Sequence, residues 1–168
     1  MDTTTLTIRH ARPEEYEALG ALTAQAYLDN GFLVLGAEDP YLAVLRDVPA
    51  RAAAAEVLVA ATADGTILGG VTYVPSGGPM ADIARESEAE IRMLAVSPRA
   101  RGRGVGESLV RECVRRAEGA GRTALVLSTQ TSMHAAHRLY ERLGFVRTPE
   151  RDWRPIPAVP LLGYALAL

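Results

Sequence analysis

The feature that most constrains this chain is the segment 94–106, which passes from an apolar run through a loop rich in glycine and arginine into a helical pattern. Glycine has no side chain to hold a ligand away from the main chain, and it adopts the backbone angles that tight loops require. The first turn of a helix also carries free N–H groups and the positive end of the helix dipole. These properties predict a binding site for a phosphate-bearing ligand at this junction.

The spacing within the segment separates it from the two commonest phosphate loops. A dinucleotide-binding loop reads Gly-x-Gly-x-x-Gly with an acidic residue about twenty positions later. Here the glycines lie at 102, 104 and 106, and Arg122 stands where the acid is needed. A Walker A loop requires a lysine, and the chain contains none. The segment therefore belongs to neither class of loop.

Two motifs together resemble the GCN5-related N-acetyltransferases, the GNAT superfamily. The first is RGRGVG at 101–106, directly after a predicted strand and a Ser-Pro turn. The second is AHRLYERLGF at 136–145, which is similar to the family's Ala-x-x-Leu-Tyr-x-x-x-Gly-Phe segment. Either motif alone is common, but their order, with one predicted strand between them, makes the pair specific. One departure is Met133, which stands where the family usually has an asparagine.

The resemblance implies that acetyl-CoA is the cosubstrate. In the family the strands before and after the loop move apart, and the pantetheine arm of the coenzyme pairs with the backbone of the first strand. A backbone N–H there would polarise the thioester oxygen, and the loop would receive the pyrophosphate. The implied coenzyme-binding residues are Leu94, Ala95, Val96, Arg101, Gly102, Arg103, Gly104, Val105 and Gly106.

Two side chains are expected to transfer protons. The resemblance implies that Tyr140 protonates the departing thiolate, although its spacing alone also suits a packed tyrosine bonded to a carbonyl. An acceptor amine must lose a proton before it attacks, and a carboxylate of raised pKa suits that task. Glu90 is the candidate base, because some family members use a strand glutamate at a similar position. Glu88 and water are alternatives, and a salt bridge to Arg92 on the same strand face would make either glutamate a poor base.

The sequence leaves the acceptor open. We predict an acetyl-CoA-dependent N-acetyltransferase that acts directly on a primary amine of a small molecule, peptide or protein. A non-catalytic acyl-CoA-binding or sensing domain and an interaction module with a vestigial pocket are the alternatives. The loops 28–40, 75–87 and 149–160 are expected to select the acceptor. Their candidate lining residues are Tyr27, Asp29, Phe32, Tyr41 and Trp153.

Composition excludes several function classes. The 168 residues suit a single domain, 1–168, and a net charge of −2 gives no general attraction to nucleic acid. The chain has neither a membrane-length apolar run nor a signal-peptide core, so we expect a cytoplasmic protein without a membrane partner. No acid or cysteine completes a metal site with His134 and His137, which we expect to be exposed. The single cysteine, Cys113, is expected in the core, and family members often form homodimers.

The predicted elements follow the order β-α-α-β-β-β-α-β-α-β-β. This order indicates a mixed α/β fold of α+β type, similar to the GNAT fold, with a central mixed sheet covered by helices on both faces. The crossover through the helix after the loop predicts one parallel strand pair. The predicted strands are 3–10, 56–61, 67–74, 89–96, 123–128, 145–148 and 161–168, and the predicted helices are 12–28, 40–46, 104–118 and 132–143.

Overall fold

The computed structural model describes residues 5–168 and contains one mixed sheet of seven strands. The elements are β1 (Thr7–His10), α1 (Tyr16–Asp29), α2 (Tyr41–Arg46), α3 (Val48–Ala54), β2 (Glu56–Ala61), β3 (Ile67–Val74), β4 (Glu88–Val96), α4 (Val105–Gly119), β5 (Ala124–Gln130), α5 (His134–Arg142), β6 (Val146–Arg147) and β7 (Leu161–Ala167). The strand order is β1-β2-β3-β4-β5-β7-β6, and β4 and β5 form the parallel pair. The predicted mixed α/β fold is confirmed.

The predicted strands and helices agree with the structure except at their ends and at one helix. The first two residues of the predicted strand 3–10 lie outside the described residues. Helix α3 is absent from the predicted elements. It begins because the Asp47 carboxylate accepts the Ala50 N–H at 3.1 Å and Pro49 occupies the first turn, where a missing N–H costs nothing.

Two adjacent glycines of β3 show that helices cover both faces of the sheet, as predicted. A Cβ added at Gly69 would lie 3.0 Å from Cγ1 of Val105, the first residue of α4. A Cβ added at Gly70 would lie 2.6 Å from Cδ1 of Leu19 in α1. Because successive strand residues point to opposite faces, α4 and α1 lie on opposite sides of β3. Only glycine allows both helices to approach so closely here.

Strand β4 is paired with β5 over only part of its length. The ladder runs from Glu88 opposite Ala124 to Ile91 opposite Leu127, while both strands continue beyond it. The register between β4 and β3 also shifts, and Met93 has a φ of 55°, as expected of a β-bulge. A gap therefore opens between β4 and β5 after the last paired residues.

The core has a large part on the α4 face of the sheet and smaller parts on the other face. Cys113 of α4 is fully buried in the large part, where burial raises its pKa to about 12. Its predicted core position is confirmed. On the other face α1 and α2 pack over the bulge through Ala24, Leu42 and Met93. Within residues 5–168, no helix has the length and apolarity that a membrane crossing needs.

Candidate active site

The predicted phosphate loop is an uncapped and exposed helix N-terminus. Gly102 and Gly104 have φ values of 78° and 73°, and nothing lies within 4 Å of a Cβ placed at either. Among residues 5–168 no side chain caps α4, and the first hydrogen bond of this helix runs from the Ser108 N–H to the carbonyl of its N-cap, Gly104, at 3.0 Å. The N–H groups of the first turn are therefore free for an anion, which the helix dipole also favours.

The loop, the end of β4 and helix α5 meet at one point. A Cβ added at Gly106 would lie 3.4 Å from Cδ2 of Leu139 and 3.7 Å from Cγ2 of Val96. Arg101 reaches across to the end of α1, where its Nη2 donates to Asn30 Oδ1 at 3.3 Å. The two sequence motifs are thus joined in space at the open end of the gap.

Tyr140 lies next to this point and is 5% exposed. Its ring packs against Phe145 and Tyr164, with centroid distances of 5.6 and 6.3 Å. Burial raises the pKa of the phenol. Within residues 5–168 no hydrogen bond to its hydroxyl affects this pKa. The phenol is therefore protonated at neutral pH and free to donate.

Glu88 and Glu90 share one strand face but have different environments. Both carboxylate oxygens of Glu88 are bound by Arg151, at 2.8 and 2.6 Å, and this hydrogen bonding lowers the pKa of Glu88. Glu90 is fully buried, and its Oε1 accepts the main-chain N–H groups of residues 82–84 at 2.8 to 3.0 Å. Burial raises the pKa of Glu90, while these main-chain bonds act in the opposite direction.

Arg92 pairs with neither glutamate, although the sequence places all three on one strand face. Its Nε lies 3.1 Å from Asp82 Oδ2, and its Nη1 donates to the Met80 carbonyl at 2.9 Å. Burial raises the pKa of Asp82, and the nearby Arg92 opposes that change. The ion pair expected to weaken a glutamate base is instead made by Glu88 with Arg151.

Three of the five predicted lining residues form one aromatic cluster. The ring of Tyr27 lies 5.8 Å from that of Phe32, edge to face, and 6.2 Å from that of Tyr41. The Tyr41 hydroxyl lies 3.4 Å from Nη2 of Arg92. This cluster and the face of β4 that carries Arg92 are therefore adjacent.

The other two predicted lining residues have separate contacts. Trp153 Nε1 donates to Ser128 Oγ of β5 at 3.0 Å, so its indole lies along the far strand of the gap. Asp29 is exposed and accepts a bond from Gln25 Nε2 at 2.7 Å within α1. Asp29 is not brought into the aromatic cluster.

A model of the acetyltransferase (GNAT) family matches residues 13–145. The chain belongs to the GNAT family. An uncharacterised N-acetyltransferase of Schizosaccharomyces pombe is 37% identical over 103 residues, which are 61% of this chain and 59% of that protein. The chain thus spans less than two thirds of the length of this curated relative.

Solved structures show the same fold along nearly the whole chain. A GCN5-related N-acetyltransferase from Kribbella flavida is 26% identical with a TM-score of 0.71, covering 97% of this chain and 98% of its own. A Salmonella typhimurium protein solved with its cofactor acetyl-CoA is 20% identical with a TM-score of 0.70, covering 98% and 95%. The family that the two motifs predict is confirmed.

In this GNAT chain, Arg51 and Asp82 lie near Arg92, and the sequence prediction names neither of them as a candidate site residue. Arg51 is 2% exposed and donates to Thr72 Oγ1 at 2.9 Å and to the Leu45 carbonyl at 2.8 Å. The sequence feature that could have identified Arg51 is its position as the single arginine within the otherwise apolar run 48–55. Asp82 lies in a polar connector and carries no local signal.

The helix that carries Tyr140 in this GNAT chain also holds both predicted surface histidines. His134 is exposed, as predicted, but the prediction is wrong for His137, which is half-buried. The His137 ring stacks on Tyr164 at 5.8 Å, and its Nε2 lies 2.9 Å from the Gln130 carbonyl oxygen. Among the described residues, no group of three or more His, Cys, Asp or Glu side chains could hold a metal ion.

Met133 fills the position of the family asparagine with a thioether. Its sulfur accepts a bond from Thr129 Oγ1 at 3.5 Å. A thioether is a weak acceptor and has no N–H to donate. Met133 therefore cannot make the polar contact of an asparagine amide.

Proposed function

We propose that this chain transfers an acetyl group from acetyl-CoA directly to the primary amine of an acceptor. The observation that carries the proposal is the gap between β4 and β5, which opens after Ile91 and Leu127. Val96, at the far end of β4, lies against the free helix N-terminus at Gly106. An extended, phosphate-bearing coenzyme fits a free strand edge that leads to an anion site. A GNAT protein of this fold was solved with acetyl-CoA.

The main chain would hold most of the coenzyme. Leu94, Ala95 and Val96 would pair with its pantetheine arm, because β5 does not pair with this part of β4. The loop 101–106 would bind its pyrophosphate through N–H groups, with the exposed Arg101 and Arg103 adding positive charge. The coenzyme supplies the acetyl group as an activated thioester. A backbone N–H of residues 94–96 would stabilise the negative charge that develops on the thioester oxygen.

Two protons must move during the transfer. The acceptor ammonium loses one proton, its nitrogen bonds to the acetyl carbon, the carbon–sulfur bond breaks, and a second proton leaves the nitrogen to replace the one given to the sulfur. We assign the first proton to Glu90, through a water molecule, because its pKa is raised whereas that of Glu88 is lowered by Arg151. We assign protonation of the sulfur to Tyr140, whose hydroxyl makes no hydrogen bond with the described residues 5–168. No acyl-enzyme forms in this scheme.

A panel of acceptors tests the proposal. The full chain is incubated with acetyl-CoA and with small amines, peptide N-termini and lysine peptides, and thiol release is followed. Calorimetry measures coenzyme binding separately. We expect binding of coenzyme A and thiol release that depends on an acceptor. Binding without turnover on any acceptor would favour the acyl-CoA sensor, and the absence of binding would overturn both functions.

A further inference from the structure

Two arginine side chains lie close together where the gap opens. Arg92 is the first residue of β4 beyond the ladder with β5. Arg51, from α3, donates through Nη1 to Thr72 Oγ1, and Thr72 is the residue of β3 paired with Arg92. Both guanidinium groups therefore lie on the face of the sheet that carries the aromatic cluster of Tyr27, Phe32 and Tyr41.

Arg92 keeps donors free for a ligand. Its Nε faces Asp82, its Nη1 donates to the Met80 carbonyl, and its Nη2 reaches the Tyr41 hydroxyl only at 3.4 Å. A guanidinium has five N–H donors, so at least two of those on Arg92 have no partner among residues 5–168. The side chain is 15% exposed, which makes it accessible to a small molecule.

Arg51 is buried without a carboxylate partner in the described part of the chain. Its two terminal nitrogens bond to neutral oxygens, on Thr72 and Leu45, and its Nε has no hydrogen-bond partner among residues 5–168. Burial lowers the pKa of Arg51, and the charge of Arg92 lowers it further. Since a buried charge is costly unless it is paired, this site favours the arrival of a negative group.

The carboxylates of this region do not supply that negative group. Asp82 pairs with Arg92, and no bond joins it to Arg51. Glu90 accepts main-chain N–H groups of residues 82–84. Asp47 accepts the Ala50 N–H as the cap of α3, and within residues 5–168 no hydrogen bond joins it to Arg51. An anion entering the gap would therefore meet unmatched positive charge.

The following inference rests on the proposed function and narrows its acceptor. We propose that the acceptor is an amino acid, or a similar amine that bears a carboxylate, and that Arg92 binds this carboxylate. The planar guanidinium fork matches a carboxylate with two parallel hydrogen bonds. Arg51, which donates to Thr72, adds positive charge, and the aromatic cluster contacts the carbon skeleton of the acceptor.

Acceptors matched in carbon skeleton test the inference. We would compare phenylalanine, phenylalaninamide and phenethylamine, and the corresponding methionine series, within a panel of all common amino acids. We expect kcat/KM for the carboxylate to exceed that for the carboxamide at least about tenfold, the loss typical of one hydrogen bond to a charged group. The carboxamide has the more easily deprotonated amine, so intrinsic reactivity runs against this preference.

Different results would overturn the carboxylate site and the proposed acetyltransferase activity. Equal rates for the carboxylate and the carboxamide, or turnover only of amines that lack a carboxylate, would overturn the carboxylate site. The proposed acetyltransferase activity would still stand. A panel that stays inert although coenzyme binds would overturn the carboxylate site as well. A chain that binds no coenzyme A would overturn the proposed function.

Two variants separate the guanidinium from the ion pair. Arg92→Gln should bring the carboxylate-to-carboxamide ratio close to one, with the Kd for coenzyme A unchanged. Asp82→Asn breaks the same ion pair but keeps the guanidinium, and it should keep the ratio. Arg115→Gln, which removes an exposed charge from α4, is the control for net charge. Equal loss of the ratio in Arg92→Gln and Asp82→Asn would show that the ion pair sets the preference, and would overturn the inference.

Discussion

From Glu88 to Ile91, strand β4 is paired with β5, and at Glu90 and Ile91 it is paired with β3 as well, whereas from Arg92 to Val96 it is paired with β3 alone. In the paired half both carboxylates accept hydrogen bonds, that of Glu88 from Arg151 and that of Glu90 from main-chain N–H groups. In the unpaired half the backbone edge and part of the Arg92 fork are free. Binding of a substrate needs free donors, so we expect it in the unpaired half, while the paired half fixes the geometry.

The largest effect is expected from Tyr140→Phe, at the open end of the gap. Removal of the hydroxyl should lower kcat by about 10²- to 10⁴-fold, the usual range for a proton donor. The Kd for coenzyme A, measured by calorimetry, should not change, because the ring still packs against Phe145. Tyr164→Phe is the control, since that hydroxyl already donates to Glu141 at 3.1 Å. Equal losses of turnover and coenzyme affinity would contradict the acid role.

Glu90→Gln tests whether a residue of the paired half takes part in the chemistry. A base must be deprotonated, so activity should fall as the pH drops through the pKa of Glu90, which burial raises above the ordinary value of about 4.3. The variant should lose about 100-fold in kcat and no longer show this acidic fall. Glu88→Gln should still show it. A pH profile unchanged in Glu90→Gln would assign the proton to another acceptor.

Gly104→Val tests the main-chain anion site, with a smaller effect. A β-branched side chain at a φ of 73° strains the loop and blocks its N–H groups, so affinity for coenzyme A should fall about 10- to 100-fold. Gly65→Val is a matched control, because Gly65 has a φ of 89° and open space in the turn between β2 and β3. It should cost similar stability and leave the Kd unchanged. The same loss of affinity in both variants would mean that strain alone is responsible.

The two sides of the gap also differ in how far the sequence predicts them. The coenzyme side depends on glycines and a helix start within 101–106, so a local spacing is enough to identify it. The proposed acceptor side contains Arg51, Thr72 and Arg92, which the pairing of β3 with β4 brings together, and no local pattern encodes that contact. The bulge at Met93 likewise arises from the pairing of β4 with β3 and has no signal in the sequence.

Glu88→Gln should change turnover least and stability most. Its ion pair with Arg151 is about nine-tenths buried, so breaking it should lower the free energy of unfolding by about 3 kcal/mol at pH 7. The pKa of Glu88 is lowered in the folded state, so this stability is present above the unfolded pKa of about 4.3 and is lost as the pH falls through the folded value. Urea unfolding at pH 7, 5 and 3 should therefore show that the difference in the free energy of unfolding between wild type and variant becomes smaller as the pH falls.

Glu150→Gln is the control for that measurement, because Glu150 is an exposed glutamate beside Arg151 and should change stability by less than about 0.5 kcal/mol. If the loss of stability in Glu88→Gln is the same at every pH, packing and not charge stabilises this half of β4. If the loss of stability disappears at acidic pH while kcat is retained, the ion pair of Glu88 and Arg151 stabilises the fold and takes no part in catalysis. The free donors of the unpaired half would then remain the part of β4 that we propose contacts the acceptor.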